Sequence, residues 1–129
     1  MLVIAILAMM VVPRLLGVGR LANEAQLRGD LYELRHAVEA FRADLGGHPD
    51  KLKDLVREKA PKRARSAGDG SRFRIVKADF RGPYLWTPDG KLPTDVMTGK
   101  SNWAYKKRTG WVRSKSTLLS TEGTMYRTW

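Results

Sequence analysis

Few residues of this chain have the types and spacing that catalysis or metal binding requires. Thr98-Gly99-Lys100-Ser101 resembles the end of a phosphate-binding P-loop, but that motif has a further glycine where this chain has Thr94. His36 and His48 have no second histidine or carboxylate at a metal-site or triad spacing. No pair among the 13 acidic residues stands out for general acid and base catalysis, and there is no cysteine. The sequence therefore predicts no catalytic residue, no metal site and no cofactor, and a protein that is not an enzyme.

Basic residues offer a different chemistry, the binding of anionic partners. The 24 Lys and Arg exceed the 13 Asp and Glu by 11, and because both signs balance over residues 1–49, the whole excess lies after them. Lys62, Arg63 and Arg65 belong to a run of basic and small residues, 61–71, which predicts a loop. These three are candidate contacts with nucleic acid, lipid headgroups or acidic proteins. A solvated loop is the simpler interpretation.

Aromatic residues accompany this charge. The chain has four Trp and four Tyr, which could stack on the bases of single-stranded nucleic acid. A small domain also needs bulky residues to fill its core. We therefore predict that Trp103, Tyr105 and Trp111, which alternate with other residues in strand-like segments, pack against a helix.

The elements that position these residues begin with an apolar segment. Residues 1–12 are all apolar and are followed by Pro13-Arg14. This length falls between the core of a signal peptide, about 7–15 residues, and a membrane helix of about 20. We predict that residues 1–20 form a membrane or filament-core segment; a signal peptide and a buried helix of a soluble domain are the alternatives. The predicted membrane or filament residues are Leu2, Val3, Ile4, Ile6, Leu7, Met9, Val11, Val12 and Pro13.

An amphipathic helix follows, over residues 21–47. Apolar residues recur every three or four positions, which is one face of an α-helix, and Gly46-Gly47 ends it. Glu24/Arg28 and Arg35/Glu39 have the spacing of ion pairs on a solvated face. The predicted core between helix and sheet comprises Leu31, Leu34, Val38, Phe41, Leu45, Trp103, Tyr105 and Trp111.

Residues 48–129 predict a globular head with a short helix and antiparallel strands. Asp50 is the expected N-cap of the short helix, which Pro61 closes. Strands are expected near residues 72–77 and 124–129, and residues 107–110 are expected to turn a hairpin. The fold class is therefore α+β, a long N-terminal helix packed on a small antiparallel sheet.

Together these segments resemble the type IV pilin-like family, most closely a major (G-type) pseudopilin of type II secretion. The segments that carry the resemblance are residues 2–15, residues 30–49 with Gly46-Gly47-His48-Pro49, residues 52–55, Gly82-Pro83-Tyr84-Leu85, Pro93-Thr94-Asp95, Thr98-Gly99, Trp103-Ala104-Tyr105 and Gly110-Trp111-Val112-Arg113-Ser114. His48 stands where the family usually has Tyr. The match spans most of the chain.

Two departures from the family matter. The Gly-Phe-Thr-Leu-Ile-Glu processing signature does not occur, so we expect an N-terminally truncated or degenerate member. Major pseudopilins often bind calcium in a C-terminal loop rich in Asp and Gly, but Glu122 is the only acid in residues 114–129. Because calcium takes six to eight oxygen ligands, usually with several carboxylates, we predict no calcium site.

The resemblance implies a structural subunit of a type II secretion pseudopilus. It would be a single-pass inner-membrane protein with its head in the periplasm, polymerising with its own copies or other pseudopilins through its N-terminal helix to drive protein secretion. Its further partners would be the inner-membrane assembly platform and, indirectly, the assembly ATPase, but not nucleic acid. One alternative is a minor pilin-like subunit of a type IV pilus or DNA-uptake machine with a basic DNA-contacting head. The other is a soluble enzyme or binding domain.

Overall fold

A computed structural model gives the fold of this chain. It describes the backbone of residues 2–129 and the side chains of residues 20–129. One long helix, α1 (Leu2–Leu45), is followed by a head of short antiparallel strands, 3₁₀ helices and turns. The architecture is α+β, with the N-terminal helix packed on small antiparallel sheets. This agrees with the fold class predicted from the sequence.

The described strands form two sheets. Their bounds are β1 (His48–Pro49), β2 (Arg63–Arg65), β3 (Arg72–Arg74), β4 (Ala104–Lys106) and β5 (Trp111–Arg113). One sheet has the order β1-β2-β3 and the other is the hairpin β4-β5, all antiparallel. The 3₁₀ helices are Leu52–Leu55, Lys77–Asp79 and Tyr126–Thr128.

The C-terminal half of α1 packs on the head along its apolar stripe. Five side chains on this face are at most 2% exposed: Leu27, Leu31, Leu34, Val38 and Phe41. Their spacing of three and four residues places them on one side of the helix, which explains why they are buried together. Leu45 is only partly buried and packs at the edge of the core.

Two glycines end α1 and begin the head. Gly46 adopts a φ of +81°, and its N–H donates a 2.8 Å hydrogen bond to the carbonyl oxygen of Arg42. Gly47 lies so close to the sheet that a Cβ atom there would collide with the carbonyl oxygen of Arg65 and the ring of Phe73. The chain can therefore turn and enter β1 in two residues because neither position carries a side chain.

The head supplies the other side of the core. Its buried apolar residues are Leu52, Leu55, Ala64, Ile75, Leu85, Trp103, Val112 and Tyr126. The aromatic rings of Phe41 and Tyr84 meet edge to face with centroids 5.4 Å apart. Tyr105 is partly buried, and its hydroxyl donates a 2.6 Å hydrogen bond to the carbonyl oxygen of Pro49.

The prediction that Trp111 belongs to the core is wrong, because this residue is 48% exposed. Successive residues of a strand face opposite sides of the sheet, and the register of β5 turns Val112 inward, where it is 0% exposed. The hairpin that precedes Trp111 is as predicted, with the N–H of Gly110 bonded to the carbonyl oxygen of Lys106 at 2.8 Å.

Three local predictions also need correction. The segment 61–71 is not simply a loop, because it contains β2, the central strand of its sheet. Asp50 does not cap the short helix; Lys51 is its N-cap and Asp50 forms ion pairs instead. Residues 124–129 form a single bridge and a 3₁₀ helix rather than a strand.

Candidate functional site

The C-terminal segment lies along the helix and runs antiparallel to it. The guanidinium of Arg35 donates to the carbonyl oxygen of Val112 at 2.9 and 3.0 Å, and that of Arg20 donates to the carbonyl oxygen of Leu119 at 2.8 Å. Fifteen helical residues span about 22 Å and seven extended residues span about 23 Å, so the two distances match. We name residues 112–129, which this arrangement ties to α1, the C-terminal clasp.

Beyond Leu119 the clasp reverses its direction. Ser120 and Thr124 bond to each other through both backbone and side chain, and Leu119 bridges Met125. The reversal brings Thr121 and Tyr126 to the same face of the helix. Residues from both arms of the clasp therefore reach one helical position.

The helical residue that both arms of the clasp reach is Glu24. Its carboxylate accepts three hydrogen bonds of 2.7 Å, from the N–H and the hydroxyl of Thr121 and from the hydroxyl of Tyr126. The side chain is 7% exposed, with the guanidinium of Arg20 at 3.9 Å. The hydrogen bonds, that from the Thr121 hydroxyl above all, hold the pKa of Glu24 below its ordinary value despite burial. Burial in turn raises the pKa of Tyr126, so its hydroxyl keeps the proton it donates.

Two arginines hold the rest of the clasp. Arg28 pairs with Glu122 at 3.1 Å and lies 4.3 Å above the ring of Trp129. Arg35 donates a 2.7 Å hydrogen bond to the carbonyl oxygen of Trp129 and lies 3.8 Å from the ring of Trp111. The exposed ring of Trp111 thus packs against the guanidinium of Arg35 in a cation–π contact, and not against the apolar core.

The sequence interpretation missed these roles. Glu24/Arg28 and Arg35/Glu39 are not the helical ion pairs it predicted, because Glu24, Arg28 and Arg35 bond to the clasp. One signal was available: positions 24, 28 and 35 are spaced by four and seven, so they share a stripe with the buried Leu31. That stripe lies against the head, with Glu24 and Leu31 buried, Arg35 partly buried and Arg28 exposed at its edge.

The turn that resembles a P-loop is organised by a buried aspartate instead. Asp95 is 0% exposed and accepts hydrogen bonds from the hydroxyl of Ser114 at 2.5 Å and from the N–H of Met97 at 2.9 Å. Its backbone oxygen accepts the N–H groups of Thr98 and Gly99. The acceptors of Asp95 therefore hold the loop together and tie it to Ser114 of the clasp, and no phosphate cradle at a helix N-terminus forms here.

The three basic residues predicted to contact anionic partners separate into two groups. Arg65 bonds to Asp50 at 2.6 Å, with about a fifth of each side chain exposed, and this hydrogen bond lowers the pKa of Asp50. Arg72 and Lys107 also lie within 4.0 Å of Asp50. Arg65 is therefore engaged within the head, unlike Lys62 and Arg63.

A basic groove remains beside the β2–β3 hairpin, and we define it by Lys62, Arg63, Arg74 and Lys77. It encloses about 460 Å³, and within residues 20–129 none of the four forms an ion pair. Arg63 and Arg74 lie directly opposite each other in the strand register. Like charges in this position destabilise a hairpin, so an anion in the groove would relieve the repulsion.

Among residues 20–129, no three His, Cys, Asp or Glu residues come together in a way that could hold a metal ion. The same range contains no helix with the length and apolar character needed to cross a membrane. The predicted membrane or filament residues, from Leu2 to Pro13, lie outside the side chains that the structure describes.

Comparison with protein-family models, with curated proteins and with solved structures finds no match to this chain.

Proposed function

We propose that this chain is a pseudopilin-like structural subunit of a type II secretion pseudopilus, anchored in the inner membrane and polymerising through its N-terminal helix. The observation that carries the proposal is the length of α1, 44 residues. At 1.5 Å per residue this is about 66 Å, whereas a compact head of its size has a diameter of roughly 30 Å. The helix is thus about twice as long as the head that it supports.

The part of the helix that extends toward the N-terminus has an apolar sequence. The described hydrogen bonds between α1 and the head run from Arg20 to Asp44. Residues 2–19 precede them, and Arg14 is their single charged residue. An apolar segment of about 27 Å needs a cover of lipid or of neighbouring helices, which a pseudopilus subunit has before and after assembly.

The C-terminal clasp also supports this function. A subunit that is extracted from a membrane by its helix must keep its head attached to that helix. Glu24, Arg28 and Arg35 tie the end of the chain to α1 over three helical turns. The clasp would transmit the movement of the helix directly to the head.

Membrane fractionation tests the anchor. The full chain, produced in bacteria, should stay in the membrane pellet after an alkaline carbonate wash. The double substitution Ile6→Lys and Val11→Lys should release it, whereas Val76→Lys, at a position 61% exposed in the head, should not. Recovery of the unsubstituted chain in the carbonate supernatant would contradict the anchor.

Cross-linking in the membrane tests polymerisation. Chains held in the membrane should give a ladder of oligomers whose spacing equals the mass of one subunit. A chain that stays in the membrane but gives monomers only, even at high expression, would refute the filament while leaving the anchor in place.

A DNA-contacting subunit of a type IV pilus or DNA-uptake machine is the second candidate, and the basic groove favours it. β1 follows the last turn of α1 and the groove belongs to the same sheet, so it lies at the end of the head away from the N-terminal segment. This position suits a partner from outside the anchoring membrane. Binding of duplex DNA that weakens steeply between low and moderate salt would support this candidate, and no binding at low salt would eliminate it.

A further inference from the structure

Two adjacent leucines are exposed where the C-terminal clasp reverses direction. Leu118 is 60% and Leu119 is 53% exposed, and Met125, which bridges Leu119, is 37% exposed. Residues opposite each other in an antiparallel bridge project on the same side, so Leu119 and Met125 face one way. We name Leu118, Leu119 and Met125 the apolar tip.

The backbone of this tip is held firmly although its side chains are exposed. The N–H of Leu118 donates to the hydroxyl of Ser116 at 3.2 Å, and its carbonyl oxygen accepts the N–H of Tyr126 at 3.2 Å. The carbonyl oxygen of Leu119 accepts the Arg20 guanidinium at 2.8 Å. A cluster of apolar side chains that stays exposed on a hydrogen-bonded backbone is a candidate contact surface.

The position of the tip along the helix selects its partner. Its bond to Arg20 places it level with the helical residue that directly follows residues 2–19, which are apolar except for Arg14 and the few small residues near it. These residues span about 27 Å, close to the hydrocarbon thickness of a bilayer, about 30 Å. If they lie in the membrane, Arg20 and the tip are at its surface.

The charge beside the apolar tip and the small exposed area of the tip both favour a lipid surface as its partner. The Arg20 side chain is 56% exposed beside the tip and lies 3.9 Å from Glu24, whose carboxylate is already held by Thr121 and Tyr126. Glu122, the only acid of the clasp, is paired with Arg28. An arginine next to exposed leucines suits anionic headgroups above acyl chains. Three side chains expose far less than the about 800 Å² per partner of a stable protein interface, which argues against a second copy of the chain.

We propose that the apolar tip inserts into the lipid interface and that Arg20 binds the anionic headgroups there. This inference rests on the proposed membrane anchor. It adds a second attachment to the membrane, which fixes the orientation of the head before the subunit leaves the bilayer. Because the tip is already tethered by the helix, a small apolar area suffices for insertion.

Depth-dependent fluorescence quenching tests the insertion, and the cysteine-free sequence makes specific labelling simple. The full chain carrying Leu118→Cys or Met125→Cys, with an environment-sensitive label, is reconstituted in phosphatidylcholine vesicles with or without phosphatidylglycerol. The control is Val76→Cys at the start of the 3₁₀ helix Lys77–Asp79, where Val76 is 61% exposed, as Leu118 is at 60%. Lipids brominated near the headgroups should quench the two tip labels about twofold more than the control, and more strongly with phosphatidylglycerol present.

The outcomes separate this inference from the anchor. Chains that float with the vesicles but whose tip labels match the Val76→Cys control overturn the inference and leave the anchor standing. Chains that do not float refute the anchor and the inference together. Tip labels that become shielded in lipid-free oligomers but are not quenched by brominated lipid show a contact between subunits, and they overturn the lipid proposal.

Discussion

The hydroxyl of Tyr126 donates a 2.7 Å hydrogen bond to the carboxylate of Glu24, although 102 residues separate the two in the chain. Both residues are buried, with Glu24 5% and Tyr126 2% exposed. The bond closes the C-terminal clasp against α1 and makes the end of the chain part of the helix packing. It therefore links the stability of the head to the position of the helix.

Removing this bond should destabilise the protein. Glu24→Gln removes the charge of a carboxylate that accepts three hydrogen bonds. Tyr126→Phe removes one of the three donors and leaves that buried carboxylate with one hydrogen bond fewer. Each substitution should lower the melting temperature, measured by circular dichroism, by several degrees. Glu39→Gln is the matched control, because the Glu39 side chain is 62% exposed, and it should melt like the unsubstituted protein. Equal melting of all these variants would contradict the clasp.

The contribution of Glu24 should depend on pH. Hydrogen bonding lowers its folded-state pKa below that of the unfolded chain, so its stabilisation is complete above the ordinary glutamate pKa of about 4.3 and is lost as the pH falls through the folded-state pKa. The contribution of Asp30 to stability changes with pH in the opposite direction, because burial raises the pKa of Asp30. The stability difference between the unsubstituted protein and Glu24→Gln isolates the first effect. Measured between about pH 7 and pH 3, this difference should shrink at the acid end; a constant difference would refute the assignment.

Charge reversal in the basic groove should affect stability and binding in opposite directions. Arg74→Glu places a carboxylate opposite Arg63, which should stabilise the hairpin by about 0.2–1 kcal/mol. The same substitution should weaken any binding of duplex DNA and reduce its salt dependence. Arg113→Glu is the control, since Arg113 is exposed on β5 opposite the neutral Ala104. DNA binding that falls equally in both variants would show general charge attraction rather than a contact in the groove.

Gly47→Ala should destabilise the junction between helix and sheet by about 1–3 kcal/mol, as overpacking of a filled site does. The added methyl group would meet the ring of Phe73 and the carbonyl oxygen of Arg65. Gly68→Ala provides the comparison, because nothing lies within 4 Å of a Cβ atom there. Urea denaturation of both variants measures the difference, and similar unfolding free energies would show that the junction can relax.

Features of the fold that depend on neighbouring residues could be predicted from the sequence. The spacing of Leu31, Leu34, Val38 and Phe41 predicts the buried face of α1, and the glycines after Leu45 predict its end. These features depend on helical periodicity and on backbone conformations within a few residues. The β4–β5 hairpin was predictable for the same reason.

Strand identity and strand facing were harder to predict. Arg63–Arg65 has no large apolar residue, and it is a strand because β1 and β3 pair with it on both sides. The sequence pattern predicts Trp111 in the core, but in the structure its neighbour Val112 points inward instead. A shift of one residue in register exchanges the two faces of a strand, and the bulk of a side chain does not reveal which register forms.

The sequence by itself determined the long helix, its apolar stripe, its end at Gly46 and the basic character of the head, because these follow from composition and local periodicity. The tertiary structure alone decided that Glu24, Arg28 and Arg35 hold the C-terminal clasp and that Arg65 is engaged by Asp50. From the sequence alone, charged side chains on a helix indicate a solvent-exposed face, because their distant partners are not known. For Glu24 and Arg35 those partners lie 77 to 102 residues further along the chain, where only the folded backbone brings them within hydrogen-bonding distance.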